Sequence, residues 1–238
     1  MQDRYAGDVG DFVKLGLLRA ISPGRNLGVA WYRYPDEAHN GDGRHTGYLQ
    51  DRDQRVARLD PELFEHLNGV VRTERSIRSL LPVLGDARSS DEPLDVSSVP
   101  ATRRRDWRAS WFTRVMDDLE GCDLVFADPD NGMTDDDHRR QGRAKFGKQI
   151  PLSEVLRLSE GRTAVIYHHN TRRAGGHDAE IDHWMSVIGA PCMAVRARAY
   201  NCRTFFIVNP DPRMAADVRQ FCDRWAILKV SLHTGQHG

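Results

Sequence analysis

The chain has no excess charge of either sign. Its 34 basic and 34 acidic residues cancel over 238 positions, so bulk electrostatics gives no vote for a polyanionic partner. No apolar run reaches the roughly eighteen residues that a membrane-spanning helix needs, which excludes such a span. The opening stretch, MQDRYAGDVGD, is polar and acidic and lacks an apolar segment, so no secretion signal is read there. Cysteine is scarce. Cys122, Cys192, Cys202 and Cys222 are scattered and form no C-x-x-C pair. That argues against a disulfide framework or a zinc ribbon, and for reduced, buried thiols in a cytoplasmic protein. There is no internal repeat and no low-complexity tract. What remains, 39% hydrophobic and 29% charged, is the composition of a globular chain, and the length suits one α/β domain spanning residues 1–238.

The order of elements follows from hydrophobic periodicity. Val9, Phe12, Val13, Leu17, Leu18 and Ile21 recur at helical spacing, and Pro23-Gly24 ends that helix. Leu27 to Tyr32 reads as a short strand. Residues 49–120 read as a helical insertion after it: Asp60-Pro61 opens a helix, Gly85 to Thr102 is a loop, and Arg103 to Leu119 is helical. No convincing strand is found in that stretch. The second half alternates more plainly. Strands are expected at 122–127, 163–167, 192–199 and 204–208, and helices at 152–158, 179–188 and 214–225. Alternation of this kind predicts a Rossmann-like, mostly parallel sheet with helices on both faces. The short link near Asn201 predicts that the last two strands are antiparallel.

In such sheets ligands sit beyond the carboxyl ends of the strands. Three loops occupy that position: PDEAHNGDGRH after Tyr32, DPDNGMTDDDHRR from Asp128, and HHNTRR after Tyr167. All three are rich in groups that bind or react. Gly41 and Gly43 permit close backbone approach, or an ordinary turn. Asp128 closes an apolar strand before a proline, as a ligand-facing acid or as a cap. His168 and His169 alternate along a strand, so at most one of them enters any site. Basic residues cluster at Arg103, Arg104, Arg105 and Arg108, at Arg139, Arg140, Arg143, Lys145 and Lys148, and at Arg172 and Arg173. Each cluster is either a solvated face or a contact for phosphates, and the placement of two of them after candidate strand ends tilts the reading toward a phosphate-bearing partner such as a nucleic acid.

Four segments together resemble the 23S ribosomal RNA adenine-N6 methyltransferase J family, a class I S-adenosylmethionine-dependent group. YAGDVGDFVKLGLL, from Tyr5, resembles that family's N-terminal helix entry at Ala6, Gly7, Asp11, Val13 and Lys14. HNGDGRH resembles its cofactor loop at His39, Gly41, Gly43 and Arg44. VFADPDNG resembles its catalytic strand end at Asp128 and Pro129. FFIVNPDPRMAADVRQF, from Phe205, resembles a late strand and the helix after it. The segments lie in the family's order and cover about half of the chain. The family's catalytic segment ends in a second proline and an aromatic, where this chain has Asp130 and Asn131.

The resemblance implies a methyltransferase that uses S-adenosylmethionine on a nucleic-acid base, with adenine N6 as the expected target. Asp128, Asn131 and Tyr5 would be catalytic. Lys14, His39, Gly41 and Gly43 would hold the cofactor, with no resident metal. Arg139, Arg140, Arg172 and Arg173 would contact nucleic acid. An acid after the second strand would hold the cofactor's ribose, with Asp86 or Asp95 as the available residues. A second reading is a metal-dependent phosphodiesterase or nuclease, with ligands from Asp128, Asp130, His39, His45 and one of His168 or His169. A third is a methyltransferase fold without catalysis that binds nucleic acid through its arginines.

Overall fold

The computed structural model describes residues 1–37, 45–50 and 54–235. The first helix, α1 (Val9–Ile21), starts where Asp8 caps it, the carboxylate accepting from the Asp11 amide at 3.1 Å. It is buried along almost its whole length. β1 (Leu27–Ala30) follows, then α2 (Pro61–Arg72), whose cap is the expected Asp60, accepting from the Leu63 amide. A 3-10 turn, Ile77–Leu84, leads to β2 (Arg88–Ser90), and α3 (Arg104–Asp118) leads to β3 (Leu124–Ala127). A two-stranded parallel ribbon, β4 (Gly132–Thr134) with β5 (Gln149–Pro151), brackets the short α4 (His138–Gln141). Then come α5 (Leu152–Leu158), β6 (Thr163–His169), α6 (Gly176–Ile188), β7 (Cys192–Ala197), β8 (Arg203–Val208), α7 (Pro212–Arg224) and β9 (Val230–Leu232).

The central sheet has seven strands in the order β2-β1-β3-β6-β8-β7-β9. β1, β2, β3 and β6 run parallel. β8 is antiparallel to both its neighbours, β6 and β7, so β7 runs with the parallel set, and β9 is antiparallel at the edge. Helices cover both faces. Val29, Phe126, Val165, Phe205 and Ile207 meet α1, α2 and α7 on one side. Ala30, Val125, Ala127, Ile166 and Phe206 meet α3, α5 and α6 on the other. The fold is the Rossmann-like α/β architecture expected from the alternation, and among the described residues no helix is long and apolar enough to cross a membrane.

The segment 49–120 differs from its expected form. It is not wholly helical: Arg88–Ser90 joins the sheet parallel to β1, with Gly28 opposite Arg88 and Ala30 opposite Ser90. The strand is three residues long, and two of them remain partly or fully exposed at the sheet's edge. It therefore lacks the apolar alternation that marks a half-buried strand. β4, β5 and β9 are equally short and were unanticipated for the same reason.

α1 and α7 touch at a glycine. A methyl group added at Gly16 would stand 2.4 Å from Trp225 Cη2. That indole cannot swing aside, because it is buried and packs on Phe12 and Phe221 at centroid distances of 4.8 and 4.9 Å. Gly16→Ala should therefore destabilise the protein by about 1–3 kcal/mol through overpacking, exceeding the ~1 kcal/mol that alanine gains in helix propensity. Urea denaturation measures the difference, and a midpoint equal to or above that of the wild type contradicts this contact.

Candidate functional site

Alternation along β3 decides where the chemistry sits. Val125 and Ala127 face α3 and α5, while Phe126 faces α1, so the next residue, Asp128, turns to the α1 side. There it meets Lys14. The ammonium donates to Asp128 Oδ2 and to Asp11 Oδ1, each at 2.6 Å. All three side chains are almost wholly removed from solvent. Asp11 is fixed in turn by the Gly7 amide, at 2.9 Å from Oδ2. The rings of Trp31, Phe126 and Tyr167 surround the ammonium at 5.8–6.0 Å. Burial works against the charge on Lys14, but Asp11 and then Asp128 outweigh it and hold the lysine above its ordinary range. Burial likewise pushes Asp128 above the usual carboxylate range, against the pull of Lys14 and the Met1 amino group. It does the same to Asp8, reinforced by the charge of Asp11.

This cluster forms the wall of a cavity of about 230 Å³ beyond the carboxyl ends of β3 and β6. Cavities that enclose drug-sized ligands commonly run to ~300–1,000 Å³, so the described space suits one ring system or an amino-acid-sized group. Four carboxyl groups, of Asp8, Asp11, Asp128 and Asp130, line it beside the cationic groups of Met1, Lys14 and Arg203. The Met1 amino group donates to the carbonyls of Tyr32 and Asp128, each at 3.0 Å, and lies 3.2 Å from Asp130 Oδ1. Tyr32 adopts φ +42°, a conformation rare for a bulky residue and one that concentrates at functional sites. Arg203 opens β8 and is 3% exposed, and its Nε and Nη1 are buried with no hydrogen-bond partner among the described residues. Gly10, in the first turn of α1, makes room for it: a Cβ there would lie 2.9 Å from the guanidinium carbon.

Of the residues singled out in the sequence, Tyr5, Lys14, Asp128 and Asn131 line this one cavity, and His45 and His169 join them. Asn131 sits at the exposed rim, its amide donating to the Lys148 carbonyl at 2.8 Å. His39, Gly41 and Gly43 lie outside the described residues. The segment after them is tied to the site, since the His45 carbonyl accepts from the Val9 amide at 3.0 Å. Arg172 and Arg173 are exposed on the turn after β6, at the same edge of the sheet. Arg139 is exposed, whereas Arg140 is half-buried and donates to Gln149 Oε1 at 2.9 Å. Asp86 and Asp95 do not line the cavity. Asp91, which directly follows β2, is engaged with Arg78 at 2.9 Å.

The adjacent histidines part company as alternation requires. His168 turns to the opposite face. There its Nδ1 accepts from the Met133 amide at 3.0 Å, and its Nε2 lies 3.2 Å from Glu180 Oε1. Among the described residues, no group of three His, Cys, Asp or Glu side chains is placed to hold a metal ion. Sequence reasoning missed Arg203, Tyr167, Asp8 and the position of Asn201. The only available signal was an arginine directly after the hairpin that opens an apolar strand. No protein-family model matches this chain, and no curated protein matches it.

Two outcomes follow from the geometry. Lys14→Met leaves two buried carboxylates unneutralised and should cost about 3–5 kcal/mol of stability. Adding Asp128→Asn should restore part of that loss, and a double variant no more stable than Lys14→Met argues against the ion pair. Glu180 gives a pH dependence. Burial would raise its pKa, but hydrogen bonds from His168 and Thr171 prevail and hold it at about 2, below the ordinary 4.5 of a free glutamate. Its contribution is thus complete above the unfolded value and is lost as pH falls from about 4.5 towards 2. Relative to Glu180→Gln, the wild type should lose on the order of 3 kcal/mol across that window. Parallel pH profiles of the two proteins count against this assignment.

Proposed function

We propose that the chain is an S-adenosylmethionine-dependent methyltransferase-like protein acting on the amino group of a nucleic-acid base, with adenine N6 as the expected target. One observation carries the reading. Lys14 and Asp128, which match the family's motifs, and Tyr5 and Asn131, which the methyltransferase reading adds beside them, line a single cavity at the carboxyl edge of a Rossmann-like sheet. Ligands bind at that edge in such sheets.

The residues present suit both ligands. The cavity's carboxyl groups suit a cationic sulfonium, and the Arg203 nitrogens that have no hydrogen-bond partner among the described residues suit an anionic group such as a carboxylate. The space available suits one planar base. The remainder of the cofactor falls to His39, Gly41 and Gly43, by resemblance. When bound, S-adenosylmethionine supplies an electrophilic methyl group. The protein's own part is positioning and charge. Asp128 accepts a hydrogen bond from the target amino group and so favours its lone pair. Lys14 and Asp11 hold that carboxylate in place. Asn131, at the rim, adds a polar contact, and Tyr5 closes the side of the cavity nearest α1. Arg172 and Arg173, with Arg139, take the phosphates of the nucleic acid, and Arg140 braces Gln149 beside them.

The nuclease reading has no comparable support. Lys14 already places a cation between Asp11 and Asp128, where a metal-ligating carboxylate would need to be free.

Calorimetry with S-adenosylmethionine tests the proposal directly, since a protein that does not bind it is not such an enzyme. Asp128→Asn keeps Lys14 paired with Asp11. It should lower methyl transfer to an adenine-containing polynucleotide by roughly 10²-fold or more, with cofactor affinity nearly unchanged. Turnover that survives this substitution removes Asp128 from the reaction.

A further inference from the structure

The cavity's mouth carries a feature that the resemblance does not supply. Tyr200 is 60% exposed, and no other large hydrophobic side chain among the described residues is as exposed. It sits in the hairpin between β7 and β8 at φ +66°, a strained conformation for a bulky residue. Its ring lies 5.4 Å from that of His45, at an interplanar angle of 32°. His45 and the next-door Asn201 both line the cavity. The two rings thus stand together at the entrance, one carried by the late hairpin and the other by the segment anchored to the start of α1. Exposed charge lies close by. The Asn170 amide donates to the Cys202 carbonyl at 3.1 Å, and Thr204 Oγ1 donates to Asn170 Oδ1 at 2.8 Å. These bonds fasten the turn carrying Arg172 and Arg173 to the Tyr200 hairpin.

An exposed aromatic beside exposed arginines is the arrangement that binds unpaired nucleotides: the ring stacks on a base and the cations follow the backbone. Water-exposed tyrosine surface has little reason to be held in a strained backbone unless its position is used. We infer that Tyr200, backed by His45, is the stacking platform for an unpaired base of a single-stranded polynucleotide at the mouth of the Lys14–Asp128 cavity. The inference rests on the nucleic-acid reading above. Tyr200 acts here as a positioning and specificity residue, and it takes no part in proton or methyl transfer.

The test uses a short fluorescein-labelled single-stranded oligonucleotide, in RNA and DNA versions, and an abasic strand of the same length. Binding is read by anisotropy over a range of salt concentrations. Tyr200→Ala should weaken binding of the base-containing strands about tenfold, and Tyr200→Phe should retain it. On the abasic strand, wild type and Tyr200→Ala should bind alike. The double variant Arg172→Ala with Arg173→Ala should instead weaken all strands and flatten the salt dependence. Equal binding of wild type and Tyr200→Ala overturns the platform, as does the same loss on the abasic strand or no binding of any oligonucleotide by the wild type. Calorimetry with S-adenosylmethionine on the same preparations separates the two proposals. Cofactor binding without the Tyr200 contrast leaves the methyltransferase reading standing and removes the platform. The Tyr200 contrast without cofactor binding does the reverse.

Discussion

A single buried ammonium organises the working end of this protein. Lys14 sits between Asp11 and Asp128 at 2.6 Å from each, enclosed by three aromatic rings. Taking these charges out of water costs several kcal/mol per ion, on the order of what their attraction returns. Such a cluster is therefore weak as a source of stability and strong as a constraint on geometry. It pins the first turns of α1 over the end of β3, and every other wall of the cavity is placed relative to that junction. A hydrophobic contact in its place would hold the two elements together without fixing which oxygen faces the cavity.

The cavity is unusual in how many charged groups it keeps dry. Burial raises Asp8 and Asp128 above the ordinary carboxylate range, and two Arg203 nitrogens have no hydrogen-bond partner among the described residues. Buried polar groups are almost always satisfied in folded proteins. Here they cluster at a strand end, where the Tyr32 backbone turns through φ +42°, a conformation rare for a bulky residue. The opposite face of the sheet provides the contrast. There Arg108 forks onto Glu154 at 2.7–2.8 Å and Tyr32 donates to the same carboxylate at 2.8 Å, bracing α3 against α5, although Arg108 Nη1 too has no hydrogen-bond partner among the described residues.

The reversed strand matters as much as the parallel ones. β8 enters between β6 and β7 and runs against both, which brings its first residue, not its last, to the carboxyl edge of the parallel strands. That is why Arg203 reaches the cavity, and why the hairpin before it, with Tyr200 and Asn201, stands at the mouth. A parallel strand in this place would have delivered Val208 and Asn209 instead.

Much of this architecture was legible in the residues themselves. Asp60, followed by Pro61, announced a helix start, because a carboxylate before an apolar periodic run satisfies free amides locally. The alternation of long apolar strands with amphipathic helices determined the Rossmann-like class, and the brief link at Asn201 determined the antiparallel ending. Asp128 stood out because it follows an apolar strand and precedes a proline. The tertiary structure decided the rest. β2, with one buried residue of three, has too few side chains to carry a period, and only pairing with β1 makes it a strand. Lys14 is singled out by the resemblance, but nothing local pairs it with Asp128, and only packing sets it 2.6 Å from that carboxylate 114 positions away. Arg203 carries only the weak signal of an arginine opening an apolar strand, and Tyr200 none, because which sheet edge a strand's first residue occupies depends on the direction of its neighbours. Local sequence determines which elements form, since capping and burial act within a few residues. The site depends on strand direction and side-chain parity across the whole sheet, and those exist only once the chain has closed on itself.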